Sequence, residues 1–334
     1  MIQSGCDLIE VRDASVDFVM RGGFFAAKET LSAVDTVNLT LNRDETVAIV
    51  GESGSGKSTL GRLIIGDQKP TGGSIKIKGQ EVRNLSRLVR SRLAQPVVQD
   101  PSSAMDPRWT IESLLEEPFR IHRELDSRDG AAIRDILSAV RLSETVLTRR
   151  PHELSGGQLQ RVAIARALLL EPEILVCDEA VSALDASVQA EIVGLLKSIQ
   201  KERHTAILFI THDLHLVPRI ADRIAVMYLG QIVEIGSTQS VGGELSHPYT
   251  RALFGASPKI GRRQGKRATL QGEPPSPTNR LGGCPFHPRC SQAWNVCNSV
   301  IPALTATSDD QAVACHLVTA QNRAKLEMAA EAAK

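Results

Sequence analysis

The run Gly51-Glu52-Ser53-Gly54-Ser55-Gly56-Lys57-Ser58 sets three glycines, a lysine and a hydroxyl in the spacing GxxxxGK(S/T), and Thr59 follows it. Glycines let successive backbone N–H groups curl around phosphate oxygens, and a helix beginning there adds its positive end. Lys57 reaches the outer phosphates and the Ser58 hydroxyl ligates Mg²⁺. The apolar run Thr46–Val50 precedes the motif and a helix-like pattern from Lys57 to Ile65 follows it. That strand–loop–helix context gives the pattern its meaning: a nucleoside triphosphate binds here.

Three further groups follow apolar segments. Asp178 and Glu179 come directly after Ile174-Leu175-Val176-Cys177. Carboxylates at the C-terminal end of a parallel strand lie where such sheets bind ligands. Asp178 suits Mg²⁺, and Glu179 suits acceptance of a proton from an attacking water. His212 follows Ile207–Ile210 and suits contact with the terminal phosphate, while Gln99, in Val97-Val98-Gln99-Asp100, acquires meaning only beside the other motifs. Ser155-Gly156-Gly157-Gln158 opens a second helical run, where a serine and two glycines at a helix start offer another anion-binding surface.

The elements that position these groups alternate. Leu8–Val11 and Val34–Leu41 predict short half-buried strands; Thr46–Val50, Glu173–Cys177 and Ala206–Ile210 predict buried ones. Val188, Ile192, Leu195, Leu196 and Ile199 recur at helical spacing, so strands and helices alternate as in a mainly parallel sheet covered on both faces. Residues 87–150 read as helical and charged, and Arg223–Ile235 as a hairpin broken at Leu229-Gly230. Beyond about Ser257, Pro, Gly and Arg become frequent.

The 334 residues carry 39 basic and 38 acidic side chains, a net of +1 that argues against gripping nucleic acid through a basic face. No apolar run reaches a membrane-spanning length, and the start lacks a secretory pattern, so a cytoplasmic protein is expected. Cys284, Cys290, Cys297 and Cys315 crowd into 32 residues of low apolar content, spaced C-x5-C-x6-C-x17-C. In a reducing compartment they are not read as disulfides. The gaps fit structural zinc poorly, and thiolates at irregular spacing can hold an iron–sulfur cluster. His287 and His316 keep a mixed Cys/His zinc site open, and buried unligated thiols are the plain alternative.

The order GESGSGKST, Gln99, LSGGQLQR, ILVCDE, SALD and His212 resembles the ATP-binding-cassette (ABC) ATPases over roughly residues 8–255. The resemblance implies an α/β fold: a P-loop nucleotide-binding domain with a parallel RecA-like lobe, an antiparallel β lobe and an inserted helical lobe. It implies ATP held by Gly51 to Thr59 with Phe18 under the adenine, and Mg²⁺ at Ser58, Gln99 and Asp178. Lys57, Gln99, Glu179 and His212 are the implied catalytic set. Ser155–Gln158 would close on the ATP of another cassette, with Asp185 of the SALD run communicating across the pair and Gln99 toward a transmembrane partner. Within the signature LSGGQLQR, Leu159 stands where a glutamine is more usual, and Ala180 replaces a frequent proline; neither touches phosphate chemistry.

His247-Pro248-Tyr249-Thr250 and Gly283-Cys284-Pro285-Phe286-His287-Pro288-Arg289-Cys290 resemble the C-terminal extension of oligopeptide and dipeptide importer ATPases. That subfamily implies a 4Fe–4S cluster on Cys284, Cys290, Cys297 and Cys315. The expected organisation is an ATPase domain over 7–255 with a helical insertion about 87–165, an extension over 246–318, and a helical or disordered tail over 319–334. No block repeats internally, so a second, identical or homologous ATPase chain is expected. Two permease subunits and an extracytoplasmic binding protein complete the expected importer at the cytoplasmic face of the inner membrane. Alternatives are another cargo (glutathione, a nickel chelate or a sugar) and, less favoured, a soluble ABC ATPase. The chain has no NKxD guanine-reading motif.

Overall fold

The computed structural model describes residues 7–20, 29–122, 129–243, 246–256, 272–276, 278 and 282–320. Cys6 and residues 321–334 of the expected tail lie outside the described residues; 316–320 are helical.

β1 (Ile9–Met20) and β2 (Glu29–Leu41) form a long antiparallel pair, well beyond the short strands that the sequence predicts. The pairing register shifts between Val11 and Ala14, where Asp13 takes a φ of 47° and hydrogen-bonds Asn38 on the neighbouring strand. Such a bulge breaks the two-residue alternation, so one strand reads as fragments. β3 (Thr46–Val50) leads through the glycine loop into α1 (Lys57–Ile65), with the bounds that the sequence predicts. β4 (Gly72–Ile77) and β5 (Gln80–Glu81) complete a four-stranded antiparallel sheet ordered β2-β1-β4-β5.

α2 (Arg87–Leu93) is followed by β6 (Ala94–Val97), which pairs in parallel with β7 (Ile174–Asp178). The region from residue 87 is therefore not wholly helical: it contains a strand of the main sheet. Gln95 and Pro96 hide that strand in the sequence, and its edge position tolerates the proline. Between β6 and β7 lie α3 (Ile111–His122), α4 (Asp129–Ala139) and α5 (Gly156–Leu168). α6 (Ala186–Arg203), β8 (Ala206–Thr211), α7 (Val217–Ile220), β9 (Arg223–Tyr228) and β10 (Gln231–Ser237) follow. Leu229 and Gly230 both take positive φ, as the two-residue turn of the β9–β10 hairpin requires. The last elements are α8 (Pro248–Ala256), α9 (Asn295–Ser299), β11 (Thr305–Ser308) and β12 (Gln311–Val313).

The main sheet is ordered β11-β12-β10-β9-β3-β8-β7-β6. β9, β3, β8, β7 and β6 are parallel; β10, β12 and β11 extend them antiparallel. The cysteine-bearing segment thus adds two strands to the ATPase sheet. Each central strand divides its side chains between two cores. Val47, Ile49, Val176, Leu208 and Ile210 face α1 and the antiparallel sheet; Ala48, Val50, Cys177, Ile207 and Phe209 face α5, α6 and the helical lobe. Both faces being covered explains why these strands read as continuous apolar runs.

Buried Glu234 on β10 ties this segment down. Its carboxylate accepts hydrogen bonds from Ser246 Oγ (2.8 Å), the His247 backbone N–H (2.8 Å) and Gln311 Nε2 (2.9 Å). Three donors satisfy a charge that would otherwise be costly to bury.

Candidate functional site

β3 lies between β8 and β9, so the loop at its C-terminal end opens beside the ends of β8 and β7. That edge is where parallel sheets bind ligands. The loop needs its glycines for close approach: a Cβ on Gly51 would lie 2.2 Å from the Met227 carbonyl oxygen, and one on Gly56 2.1 Å from that of Ala33. Gly56 also caps α1 in a left-handed conformation, φ 100°. Ser53 and Gly54 form the exposed tip, Ser55 is buried, and Ser58 and Thr59 are half-buried on the first turn of α1.

Lys57 is almost fully buried. Its ammonium donates to the carbonyl oxygens of Gly51 (2.9 Å) and Glu52 (2.7 Å) inside the loop. Burial lowers its pKa, opposed by the nearby charges of Glu179, Asp178 and Glu52. Ser58 Oγ donates to Asp178 Oδ1 at 2.8 Å, which sets a hydroxyl and a carboxylate side by side. Burial pushes the Asp178 carboxyl upward, and the Glu179 charge adds to that. Glu179 takes φ 50°, a conformation that costs a residue with a side chain about 1–3 kcal/mol. Its N–H donates to the Ile210 carbonyl, and its Oε1 lies 3.2 Å from His212 Nδ1. Lys57, Ser58, Asp178, Glu179 and His212 are thus one cluster, built from three strand ends.

The other sequence-derived residues fall elsewhere. Gln99 is exposed just beyond β6, and Phe18 is 40% exposed on β1, opposite Leu31. Ser155 caps α5: its Oγ accepts from the Gln158 N–H (3.3 Å), and Gln158 Oε1 accepts from the Ser155 N–H (3.1 Å). Ser155 and Gly156 are exposed. Gly157 lies tight on α6, where a Cβ would meet Val188 Cγ1 at 2.7 Å. Asp185 caps α6 through the Ser187 and Val188 N–H groups. These bonds hold its carboxyl below the ordinary range, the Ser187 hydroxyl contributing most.

Sequence reasoning placed Glu52 in the loop and missed what holds it. Arg289 donates to both Glu52 oxygens, at 2.7 and 3.0 Å, and Tyr249 Oη accepts the Glu52 backbone N–H at 2.9 Å. The available signal was an acidic residue inside an anion-binding loop, which calls for a neighbouring cation.

Cys284, Cys290, Cys297 and Cys315 are free thiols that line one cavity of about 20 Å³ with His247, His287 and His316. Burial pushes the Cys284 thiol up to about 11, and its three neighbours oppose ionisation further. Cys290 and Cys315 are raised as well, burial again leading. His247 is buried and held neutral, its pKa lowered by burial to about 3. Its Nδ1 accepts the Tyr249 N–H, so Nε2 carries the proton, and that buried donor has no hydrogen-bond partner. Among the described residues no group of three His, Cys, Asp or Glu side chains is closed into a metal cage.

The family described as "ABC transporter" matches residues 34–182, and "Oligopeptide/dipeptide transporter, C-terminal region" matches 233–297. The oligopeptide transport ATP-binding protein AppF of Bacillus subtilis is 43% identical over 320 residues, spanning 93% of this chain and 97% of that protein. The chain belongs to the ATP-binding subunits of the oligopeptide/dipeptide ABC transporters. The oligopeptide transport ATP-binding protein OppF of Escherichia coli is likewise 43% identical, over 89% of this ABC subunit and 92% of its own length. Among solved structures, the dimeric post-hydrolysis state of the ATP-binding cassette MJ0796, bound to ADP and Pi, superposes with a TM-score of 0.61 at 28% identity. It covers 69% of this ABC subunit and 98% of that chain. No helix among the described residues is long and apolar enough to cross a membrane.

The half-buried Asp178 carboxylate has a consequence for stability. Its folded pKa is raised, so its contribution to folding is fully present at acid pH and is lost as pH rises through that value. Above it, the charge is a cost that an amide removes while still accepting the Ser58 bond. Asp178→Asn, free of nucleotide and Mg²⁺, is expected to melt at a higher temperature than the parent at pH 8, with the advantage shrinking toward pH 4. An equal or lower melting temperature at pH 8 would contradict this.

Proposed function

We propose that the protein is the ATP-hydrolysing subunit that energises an importer of oligopeptides or dipeptides. One observation carries the reading: Lys57, Ser58, Asp178, Glu179 and His212 converge at one sheet edge in a chain matched along its length by peptide-transport ATPases. The subunit works peripherally at the cytoplasmic face of the inner membrane, beneath two permease subunits and with an extracytoplasmic binding protein delivering cargo. Residues 7–255 form the ATPase domain, with the helical insertion inside 87–165, and 246–318 form the extension.

The triphosphate lies in the loop from Gly51 to Thr59, with Phe18 beside the base. Its oxygens compete for the Lys57 ammonium, which the loop carbonyls hold in their place. The hard oxygens of Ser58 and Asp178 are already adjacent, a donor chemistry that fits Mg²⁺, with Gln99 adding to the site. Bound there, Mg²⁺ neutralises phosphate charge. Glu179 accepts the proton as the water oxygen bonds to the γ-phosphorus and the β–γ bridging bond breaks, its electron pair leaving with ADP. His212, 3.2 Å from Glu179, orients that carboxylate and contacts the γ-phosphate. Ser155–Gln158 of a second ATPase, identical or homologous, closes the site from the other side, with Asp185 relaying between the two and Gln99 toward the permease.

We assign a 4Fe–4S cluster to Cys284, Cys290, Cys297 and Cys315. The shared cavity supplies four thiols, and the orphaned His247 Nε2–H suits an anionic group beside it. The cavity has room for about one water, so loading requires the thiols to spread. Bound, the cluster would cross-link this apolar-poor segment.

Two experiments test these assignments. In proteoliposomes carrying the full transporter, MgATP is expected to drive accumulation of a labelled oligopeptide. Glu179→Gln should lower turnover and uptake about 100-fold or more while ATP binding holds. Near-normal hydrolysis in that variant removes Glu179 as the base, and uptake of a different cargo alone overturns the peptide assignment. Separately, protein purified without oxygen is expected to carry about four iron and four sulfide per chain; stoichiometric zinc without iron overturns the cluster.

A further inference from the structure

Glu52 is an anomaly in its own loop. A carboxylate beside a triphosphate repels it, and Glu52 is close enough to Lys57 for its charge to bear on that ammonium. The Arg289 side chain is only 5% exposed and grips both carboxylate oxygens. A bidentate pair of this kind, with the guanidinium almost out of solvent and the carboxylate half-buried, is geometrically specific and strong. The Glu52 main chain is pinned as well: its N–H donates to Tyr249 Oη, and its carbonyl accepts from Lys57 Nζ and the Ser55 N–H. Arg289 is itself enclosed. Its guanidinium lies 5.9 Å from the centre of the Tyr228 ring and 6.0 Å from that of Phe286, and Tyr249 packs on both rings. Its hydrogen bonds to Glu52, and after them the one to the Tyr228 hydroxyl, raise its pKa against the opposing effect of burial.

We propose that Arg289, supported by Tyr249, is a positioning residue for the ATP reaction, neutralising Glu52 and fixing the phosphate-binding loop in its ATP-competent shape. This rests on the nucleotide site assigned above. Arg289 immediately precedes Cys290, and the Cys284 N–H donates to the Cys297 carbonyl, so the clamp belongs to the same short segment as the thiols. A segment distant in sequence thereby completes the loop, and its order sets the affinity for ATP.

The test is MgATP affinity and steady-state hydrolysis of the full-length subunit, in a double-mutant design. Arg289→Gln is expected to raise Kd and KM for ATP about tenfold, with kcat changed less than about twofold; Arg289→Lys, which keeps charge but not the fork, falls between. The decisive arm is rescue: with Glu52→Gln present, Arg289→Gln and Arg289→Lys should bind ATP within about twofold of Glu52→Gln alone. A merely structural arginine would not be rescued this way. Unchanged affinity in both arginine variants overturns the proposal, and so does an equal loss with and without Glu52. Should Arg289→Gln not fold, the Arg289→Lys arm decides alone. Ser58→Ala separates the two levels: if it weakens MgATP binding while the arginine variants do not, only the clamp falls. If Ser58→Ala also leaves binding intact, the nucleotide site and the clamp fall together.

Discussion

Burying one ammonium group at the junction of β3 and α1 organises this molecule. Lys57 is held almost out of solvent by the carbonyl oxygens of its own loop, and three carboxylates offset the cost of taking its charge from water. That arrangement requires β3 to be central, because only then do the ends of β7 and β8 bring Asp178, Glu179 and His212 alongside. It also requires the glycines that let the loop pass against Met227 and Ala33. A Cβ at either position would push the loop off the sheet and the ammonium off its carbonyls.

The same constraint creates a surplus of negative charge around a site for a polyanion. Asp178 bears part of it by a raised pKa, and Ser58 satisfies one of its oxygens. Glu52 is matched by Arg289 from the C-terminal segment. That segment is fastened to the ATPase sheet at three levels: strand pairing of β12 with β10, the buried Glu234 carboxylate, and the aromatic cluster of Tyr228, Tyr249 and Phe286. The polar hub matters because a buried carboxylate with three donors specifies one arrangement of β10, residues 246–247 and β12, where apolar packing would tolerate several.

Local signals were legible in the residues. The glycine loop, the helix from Lys57, the helix start at Ser155 and the Leu229-Gly230 turn all depend on neighbours within a few positions, and the structure forms each of them. Continuous strands failed to show where a bulge shifted the alternation, as at Asp13, or where polar residues and proline sat in a short edge strand, as in β6. Non-local pairing was invisible for a simpler reason. Arg289 and Glu52 are 237 residues apart, and no period connects them. Both lay inside motifs singled out for other chemistry, and only the misplaced charge of Glu52 hinted that a cation must come from elsewhere.

The proposed nucleotide site depends on Lys57 exchanging its loop carbonyls for phosphate oxygens. Calorimetric titration of the full-length chain with MgATP, parent against Lys57→Ala, measures that exchange most directly. Loss of a charge-assisted hydrogen bond, worth about 1.5–3 kcal/mol, should weaken binding about tenfold or more. Lys57→Ala binding MgATP as tightly as the parent, with its fold intact, would contradict the account.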